Sequence, residues 1–319
     1  MSSDIRDLPA VPPLVSVVLP THNRPVWLAE ALTSALDGEF DDLEVIVSNN
    51  GNPADTRRLH AEISDSRVRW VEQDPTFGPL DNFLAGLAVA RGKYIAPLHD
   101  DDRWSADFLS VLVPPLERHP EAVLAFADHY LTDERGEVDL AATEANTKRW
   151  GRADLRDGLH HPFFGVVVRQ SVAMTGCVFR RDALPVEEIT PELGPFYDIW
   201  TSYLLARTGG AAFYTPERLL YYRAHGSSQS SAAKVSAHLG AICGRRQMLQ
   251  DPNFRPHKRI ITKRLARDHV LVGAERLRQG ARMQARAHLG AAIRLNPTVK
   301  ALGGWTASWV APSKLLERV

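Results

Sequence analysis

The chain has 319 residues, of which 44% are hydrophobic and 24% are charged, and its formal net charge is zero. This composition is typical of a globular protein with a large core and excludes an intrinsically disordered chain. No run of 18 apolar residues predicts a membrane-spanning helix, and residues 1–13 lack the features of a signal peptide. Two cysteines, Cys177 and Cys243, are too few for a disulfide framework or a cysteine-rich zinc site. We therefore expect a cytoplasmic protein.

The charges are unevenly distributed along the chain. Residues 1–150 hold 13 Lys and Arg against 26 Asp and Glu, whereas residues 234–319 hold 17 against 4. An acidic front half suits a metal site. A basic tail suits an anionic surface, such as phosphates, a membrane face or the protein's own acidic half, but it is equally compatible with a solvated, arginine-rich helical tail.

The first 131 residues alternate between strand and helix patterns. Short β-branched runs favour strands, and apolar residues at helical spacing favour helices between them. This alternation predicts an open, mostly parallel sheet flanked by helices. We expect strands at 15–20, 43–52, 68–73, 93–99 and 122–131, and helices at 24–36, 54–63, 80–90 and 105–118.

The remaining residues divide into a polar segment, a second mixed segment and a helical tail. Residues 132–165 predict a long loop with local helix, and 171–184 a strand leading into a helix. Residues 194–209 predict a loop and then a helix that ends at two glycines, and 211–231 two short strands. From 235 onward the pattern is helical, with a hairpin that breaks at Gly280.

Polar clusters follow three of the predicted strands: THNR at 21–24, SNNGN at 48–52 and HDDD at 99–102. In open α/β sheets, ligands bind at the carboxyl ends of parallel strands, so these clusters predict a common site. Three adjacent carboxylates repel one another unless a cation faces them, and Mg²⁺ and Mn²⁺ prefer oxygen ligands. The alternative is an acidic helix N-terminus without a ligand.

The order and spacing of these segments resemble the inverting family 2 glycosyltransferases with the GT-A fold. The resemblance covers about residues 13–230 and is carried by VSVVLPTHNRPVWLAEALTSAL, LEVIVSNNGNPADT and ARGKYIAPLHDDDRWSADFL. It implies a GT-A domain over 1–233, with a nucleotide-binding half at 1–131 and an acceptor-binding half at 132–233. Residues 234–319 would form a C-terminal helical extension.

The resemblance also implies a nucleotide-diphosphate sugar donor, UDP- or dTDP-linked, and an Mn²⁺ or Mg²⁺ ion. Asp198, in FYDIW, matches the base that removes the acceptor proton, although it could simply cap its helix. Asp100 would contact the ribose and Asp101 the metal, with Asp102 as a further or indirect ligand. His225, in YYRAHGSSQS, is a second candidate metal ligand, and the serines of that segment are candidate phosphate donors. The other donor-binding candidates are Pro20, Thr21, His22, Asn23, Arg24, Asn50, Asp81, Asn82 and Arg223.

Five residues near these motifs receive weaker expectations. His99 precedes the carboxylates and could support them indirectly, and His160 and His161 receive no role. We expect Trp104 to be core, and leave Trp200 between core and sugar contact.

Several other functions remain to be weighed. A nucleotidyltransferase or another nucleotide-diphosphate-binding protein on a similar sheet is the main alternative, although the loop PTHNRP lacks the glycines such enzymes usually carry. A dinucleotide-binding dehydrogenase would need G-x-G-x-x-G there. A non-enzymatic relative would have lost the aspartates or the base, and the basic tail lacks the aromatics of a nucleic-acid module. The acceptor could be a glycan, a lipid-linked glycan, a protein or a small molecule.

The tail has two interpretations. One is a packing lid or homodimer surface, and the other is a peripheral contact with the inner face of the cell membrane through arginines and the Trp305/Trp309 pair.

Overall fold

The computed structural model describes residues 11–226 and 235–310, which form two compact units. The first unit comprises the described residues up to Glu188 together with Thr201–His225, and the second comprises Ile189–Trp200 and the described residues from Gly226 onward. The GT-A-like domain limits predicted above, 1–233 and 234–319, remain a prediction. The serines at 227, 228, 230 and 231 lie outside the described residues.

The first unit contains a mixed sheet. Within the described residues its strands are β1 Val15–Thr21, β2 Leu43–Asn49, β3 Val68–Glu72, β4 Tyr94–Pro97, β5 Arg103–Trp104, β6 Ala122–Thr132, β7 Gly158–His160, β8 Cys177–Arg180 and β9 Ala211–Arg223. Their order is β3-β2-β1-β4-β8-β6-β9-β5, and β7 pairs with β9.

The α-helices of the two units, within the described residues, are α1 Pro25–Leu36, α2 Pro53–Glu62, α3 Pro79–Ala88, α4 Phe108–Arg118, α5 Leu140–Arg149, α6 Phe164–Arg169, α7 Tyr197–Arg207, α8 Val235–Gln250, α9 Lys258–Arg278, α10 Arg282–Leu295 and α11 Val299–Val310.

The predicted α/β architecture with helices flanking a sheet is confirmed. The β1–β4 segment is all parallel, as expected, with each of α1, α2 and α3 starting at a proline, which suits the first helical turn because its N–H would lack a partner there. Beyond β4 the sheet becomes mixed, because β8 runs antiparallel to both β4 and β6.

Two local expectations were wrong. Residues 211–223 form one 13-residue strand and not two short ones, because β9 pairs with β6 along most of its length across register shifts. The helix expected after the strand at 177–180 is only a single 3₁₀ turn at Arg181–Ala183.

The core of the first unit packs α1 and α4 against one face of the sheet. Val15, Val17 and Leu19 of β1 are fully buried, as are Leu32 of α1 and Leu112 of α4. A strand buried on both faces reads as a continuous apolar run, which is why VSVVLP predicted β1. This rigid sheet holds the carboxyl ends of β1, β2 and β4 side by side.

The second unit is helical. α8 packs on α9, α9 on α10, and α10 on α11. The predicted break at Gly280 is confirmed, since Gly280 has a left-handed φ of 73° between α9 and α10. No helix in the described residues is long and apolar enough to cross a membrane.

A buried ionic cluster braces β6 against α5 and gives a pH prediction. Arg152 Nε lies 2.5 Å from Asp128 Oδ1, and Arg152 Nη2 lies 3.4 Å from His129 Nε2. Burial, followed by the charge of Arg152, lowers the pKa of His129 to about 3, although Asp128 opposes the shift and Arg218 adds to it. The folded protein therefore holds this histidine neutral.

We expect the free energy of unfolding to fall as the pH drops from about 6.5 towards 3, because only the unfolded chain then protonates His129. This group contributes a slope of up to about 1.4 kcal/mol per pH unit. Urea unfolding of wild type and His129→Gln between these limits would measure it. A slope in the variant equal to that of wild type would contradict the assignment.

Candidate active site

The three predicted polar clusters meet at one edge of the sheet. Thr21, at the end of β1, donates its hydroxyl to Asp100 Oδ2 at 2.9 Å, and the backbone N–H of His22 donates to the same oxygen at 3.3 Å. The His22 ring lies 3.2 Å from the side-chain oxygen of Asn50, which follows β2. The expectation that THNR, SNNGN and HDDD come together is therefore confirmed by direct contacts.

Gly51 permits the close approach of two of these loops. A Cβ atom at this position would lie 2.6 Å from the backbone nitrogen of Asn23. Asn23 itself has a left-handed φ of 55°, which asparagine tolerates better than most residues, and its side chain accepts a hydrogen bond from the backbone N–H of Asn52 at 2.7 Å. The turn residues thus hold the β1 and β2 loops in contact.

Arg24 is the cation that faces the first two aspartates. Its Nη1 donates to Asp100 Oδ1 at 3.0 Å and to Asp101 Oδ2 at 2.8 Å. Burial and the nearby charge of Asp101 raise the pKa of Asp100, and Arg24 opposes this shift. A single guanidinium therefore offsets part of the repulsion between two adjacent carboxylates.

Asp101 has a second basic neighbour from the end of β9. His225 Nε2 lies 2.8 Å from Asp101 Oδ2, the same oxygen that Arg24 contacts. Burial alone would raise the pKa of Asp101, but His99, His225 and Arg24 outweigh it and the pKa is lowered. Asp101 is therefore the carboxylate of this edge most favoured in its charged form.

Asp102 anchors the loop to the far side of the sheet. It is 2% exposed and accepts hydrogen bonds from the Thr175 hydroxyl at 2.7 Å and from the backbone N–H of Arg223 at 3.0 Å. Burial, with the neighbouring charge of Asp101, raises the pKa of Asp102 to about 7. These contacts assign Asp102 a positioning task in addition to its predicted metal role.

One group of side chains could hold a metal ion. Among residues 11–226 and 235–310, His99, Asp101 and Asp102 are the group whose potential ligand atoms lie within 4.8 Å of one another. Two carboxylates and one imidazole suit Mn²⁺, and the carboxylates suit Mg²⁺. The donor set therefore fits the predicted ion. It includes His99, to which the sequence analysis gave only an indirect role, while the predicted ligand His225 contacts the metal candidate Asp101.

Arg223 supports the loop that carries Asp100, Asp101 and Asp102. Its Nε donates to the backbone oxygen of Asp101 at 2.9 Å, its Nη1 to the backbone oxygen of Glu134 at 2.8 Å, and its Nη2 to Glu30 at 2.6 Å. The residue is 3% exposed. These contacts support the loop directly, and the predicted phosphate contact of Arg223 remains a prediction.

The polar residues around the predicted base-binding pocket form a network among themselves. Asn50 Nδ2 donates to the backbone oxygen of Phe77 at 2.7 Å, and Asn82 Nδ2 donates to Asn50 Oδ1 at 3.1 Å and to the backbone oxygen of Thr21 at 3.2 Å. Asp81 is exposed and accepts from the backbone N–H of Gly78 at 3.2 Å, closing a capping box at the start of α3. Their contacts with the nucleotide-sugar donor remain predictions.

Trp27 is a site residue that the sequence analysis missed. Its ring lies 4.7 Å from the His225 ring, and the guanidinium carbons of Arg24 and Arg223 lie 5.5 and 5.3 Å from its centroid. Such distances allow cation–π attraction. The available signal was its position in the first turn of α1, directly beyond the polar loop that follows β1.

Asp198, Trp104 and Trp200 complete the set of predicted residues. Asp198 is in the first turn of α7, within the segment Ile189–Trp200 of the second unit, and is partly buried. Trp104 is core, as predicted: its ring stacks on Phe108 at 4.1 Å and its indole N–H donates to the backbone oxygen of Thr175 at 2.7 Å. Trp200 is 1% exposed, which favours its core interpretation.

Comparisons with known proteins agree with this arrangement. The family described as Glycosyl transferase family 2 matches residues 16–170, which contain the three converging loops. The predicted resemblance to this family is thereby confirmed. An uncharacterized glycosyltransferase of Haemophilus influenzae is 26% identical over 225 residues, covering 69% of this chain and 68% of that protein.

A second relative of this chain has a defined activity in its name. The GalNAc(5)-diNAcBac-PP-undecaprenol beta-1,3-glucosyltransferase of Campylobacter jejuni is 36% identical over 104 residues, which is 32% of this chain and 34% of that enzyme. The match thus spans about a third of the relative's length. Among solved structures, S. aureus TarS 1-349 in complex with UDP-GlcNAc has a TM-score of 0.67 at 14% identity, covering 95% of this chain and 90% of that chain. The predicted GT-A fold and transferase class are confirmed, and the nucleotidyltransferase alternative is set aside.

Trp27 provides a test of how the two arginines and His225 are positioned. We expect Trp27→Leu to raise the KM for the nucleotide-sugar donor about tenfold, because the ring no longer orients the cations, while Trp27→Phe keeps most of the affinity. Steady-state kinetics of both variants would check this. An equal loss in the two variants, or a fall in kcat with unchanged KM, would contradict a positioning role.

Proposed function

We propose that this family 2 glycosyltransferase moves a sugar from a UDP- or dTDP-linked donor to a hydroxyl of a lipid-linked glycan acceptor, with inversion and with help from Mn²⁺ or Mg²⁺. The observation that carries the proposal is the meeting of three loops at the carboxyl edge of parallel strands: the loop after β1 contacts both Asp100 and Asp101, and it also contacts Asn50 of the loop after β2. The UDP-GlcNAc bound to S. aureus TarS supports the choice of nucleotide, and the name of the Campylobacter enzyme supports the class of acceptor.

The donor would lie along the edge formed by the β1, β2 and β4 loops. In the proposed arrangement, Asp100 accepts a hydrogen bond from the ribose, and Asn50, Asp81 and Asn82 lie at the base. Pro20, Thr21, His22 and Asn23 shape the loop that holds the nucleoside, while Arg24, together with Arg223, provides positive charge for the diphosphate. Asn50 can both donate and accept, so it suits a uracil or thymine edge.

Asp101, with Asp102 and His99, would hold the divalent ion, and His225 would either join them or orient Asp101. When bound, the ion supplies positive charge that stabilises the leaving diphosphate. The residues of this chain do the rest of the positioning: Arg24 and His225 fix the Asp101 carboxylate, and Thr175 and the backbone of Arg223 fix Asp102. Each carboxylate is thus held by protein groups that limit its rotation.

Asp198 is proposed as the general base. Its carboxylate takes the proton of the acceptor hydroxyl as that oxygen forms a bond to the anomeric carbon. The bond between the anomeric carbon and the diphosphate oxygen breaks, and its electron pair leaves with the nucleoside diphosphate. Attack opposite the leaving group inverts the anomeric centre. No covalent intermediate on the protein is needed.

Substitution of Asp101 tests the metal site. We expect Asp101→Asn to abolish the gain in UDP affinity that Mn²⁺ provides to wild type, because one charged ligand is lost. Calorimetry with UDP, with and without Mn²⁺, measures this directly, and Asp37→Asn, an exposed aspartate at the end of α1, is the matched control. Wild-type UDP binding that is indifferent to Mn²⁺ and to EDTA would overturn the metal assignment.

Substitution of Asp198 tests the base. We expect Asp198→Asn to keep donor binding but to lose about 10²- to 10⁴-fold in sugar transfer, since an amide cannot accept the proton. Glu192→Gln removes a charge from the same segment of the second unit and should transfer at the wild-type rate. Transfer to a diphosphate-linked lipid glycan, followed by chromatography, gives the readout. A near-normal rate in the Asp198 variant would refute its role.

A further inference from the structure

The outer face of α11 is apolar and lies within a basic surface. Val299, Leu302, Trp305 and Trp309 are 88%, 48%, 38% and 57% exposed, and they follow one another at intervals of three or four residues. That spacing places them along one side of the helix. We call these four residues the α11 face. The helix is buried along the side that adjoins Trp305, since Ala301 and Ser308 are 0% and 1% exposed.

The two helices that contain the α11 face and its neighbour Arg286, α10 and α11, carry basic residues and no acidic ones. Residues 281–310 carry four Arg and Lys and no Asp or Glu. The guanidinium of Arg286, on α10, lies 3.9 Å from the centroid of the Trp309 ring, and Lys300 is exposed on α11 itself. Met283, one turn before Arg286 and on the same side of α10, is 78% exposed. At Arg286, therefore, a cationic group lies directly against an aromatic residue of the α11 face.

We infer that the α11 face docks onto an anionic lipid surface. Exposed aromatic and aliphatic side chains beside arginine and lysine, on one side of a short helix, are typical of helices that lie in the membrane interface. Tryptophan suits this position because its ring is apolar while its N–H can remain near polar headgroups. Contact of this kind is peripheral, in keeping with the described helices, none of which can cross a membrane.

Charge favours lipid over a second copy of the chain. A symmetric dimer through this face would bring two surfaces of the same positive sign together, and the described residues 281–310 offer no acidic side chain to pair with them. An anionic bilayer attracts basic residues near its surface, and each one increases binding about fivefold. This inference goes beyond the proposed function, because it concerns where the protein binds and not the reaction.

Co-sedimentation of the full chain with vesicles tests the inference. We expect binding to phosphatidylcholine vesicles that contain phosphatidylglycerol, weak binding to phosphatidylcholine alone, and release at about 0.5 M salt. The double variant Leu302→Gln/Trp309→Gln should bind at least about tenfold more weakly, because burial of its apolar groups is lost. Leu140→Gln, which changes an exposed leucine of α5 in the first unit, is the matched control and should bind like wild type.

A charge substitution measures the electrostatic contribution to vesicle binding separately from the apolar contribution. Lys300→Glu should lower binding to the anionic vesicles at least about fivefold, while Arg57→Glu, exposed on α2, should not. Circular dichroism would establish that each variant is folded, and UDP-sugar hydrolysis without lipid should be unchanged in all of them. Loss of vesicle binding in Lys300→Glu and in Leu302→Gln/Trp309→Gln supports the inference even if wild type transfers no sugar. The docking inference and the proposed function can therefore fail separately.

Several results would overturn the inference: equal binding to neutral and anionic vesicles, undiminished binding of the double variant, or absence of binding by wild type. A lipid-free dimer that dissociates on Leu302→Gln/Trp309→Gln would also overturn it, and would assign the face to a second copy.

Discussion

The repulsion among Asp100, Asp101 and Asp102 is the constraint on which the rest of this edge depends. Three adjacent carboxylates, two of them buried, are unstable together unless positive charge or donated hydrogen bonds compensate. The chain meets this requirement with a different set of partners for each. Arg24 contacts the first two, His225 the second, and Thr175 with the backbone of Arg223 the third. The loops that follow β1 and β9 and the segment before β8 are thereby tied to the loop that follows β4.

These contacts shift the pKa values of Asp101 and Asp102 in opposite directions. The pKa of Asp101 is lowered and that of Asp102 is raised to about 7, although the two are neighbours in sequence. The difference arises because Asp102 is almost fully buried and receives its hydrogen bonds from neutral donors, whereas Asp101 faces two basic side chains. A ligand cation would therefore meet one carboxylate that is firmly charged, and another that becomes charged more readily when the cation approaches.

The Trp27 ring is a common contact of the basic side chains near the aspartates. Arg24, Arg223 and His225 come from opposite ends of the first unit's sequence, yet all three lie against one aromatic ring. An indole face attracts cations without hydrogen-bonding to them, so it can orient these groups while leaving their N–H donors directed at the aspartate loop and Glu30. The second unit has a different electrostatic character, with its basic surface around α11, and this contrast matches the division of charge along the chain.

Much of this protein was determined by its sequence alone. The continuous apolar run at β1 and the polar clusters after three parallel strands are local signals, and they predicted the sheet and the edge at which the candidate site lies. The resemblance of these segments to known glycosyltransferases predicted the family. The tertiary structure decided what the local signals could not. The pairing of β9 with β6, the antiparallel position of β8, the contact of His225 with Asp101 and the gathering of cations at Trp27 join residues far apart in the chain. Such pairings depend on which surfaces meet after folding. Hydrophobic periodicity predicts the type of each element but does not predict which elements pair.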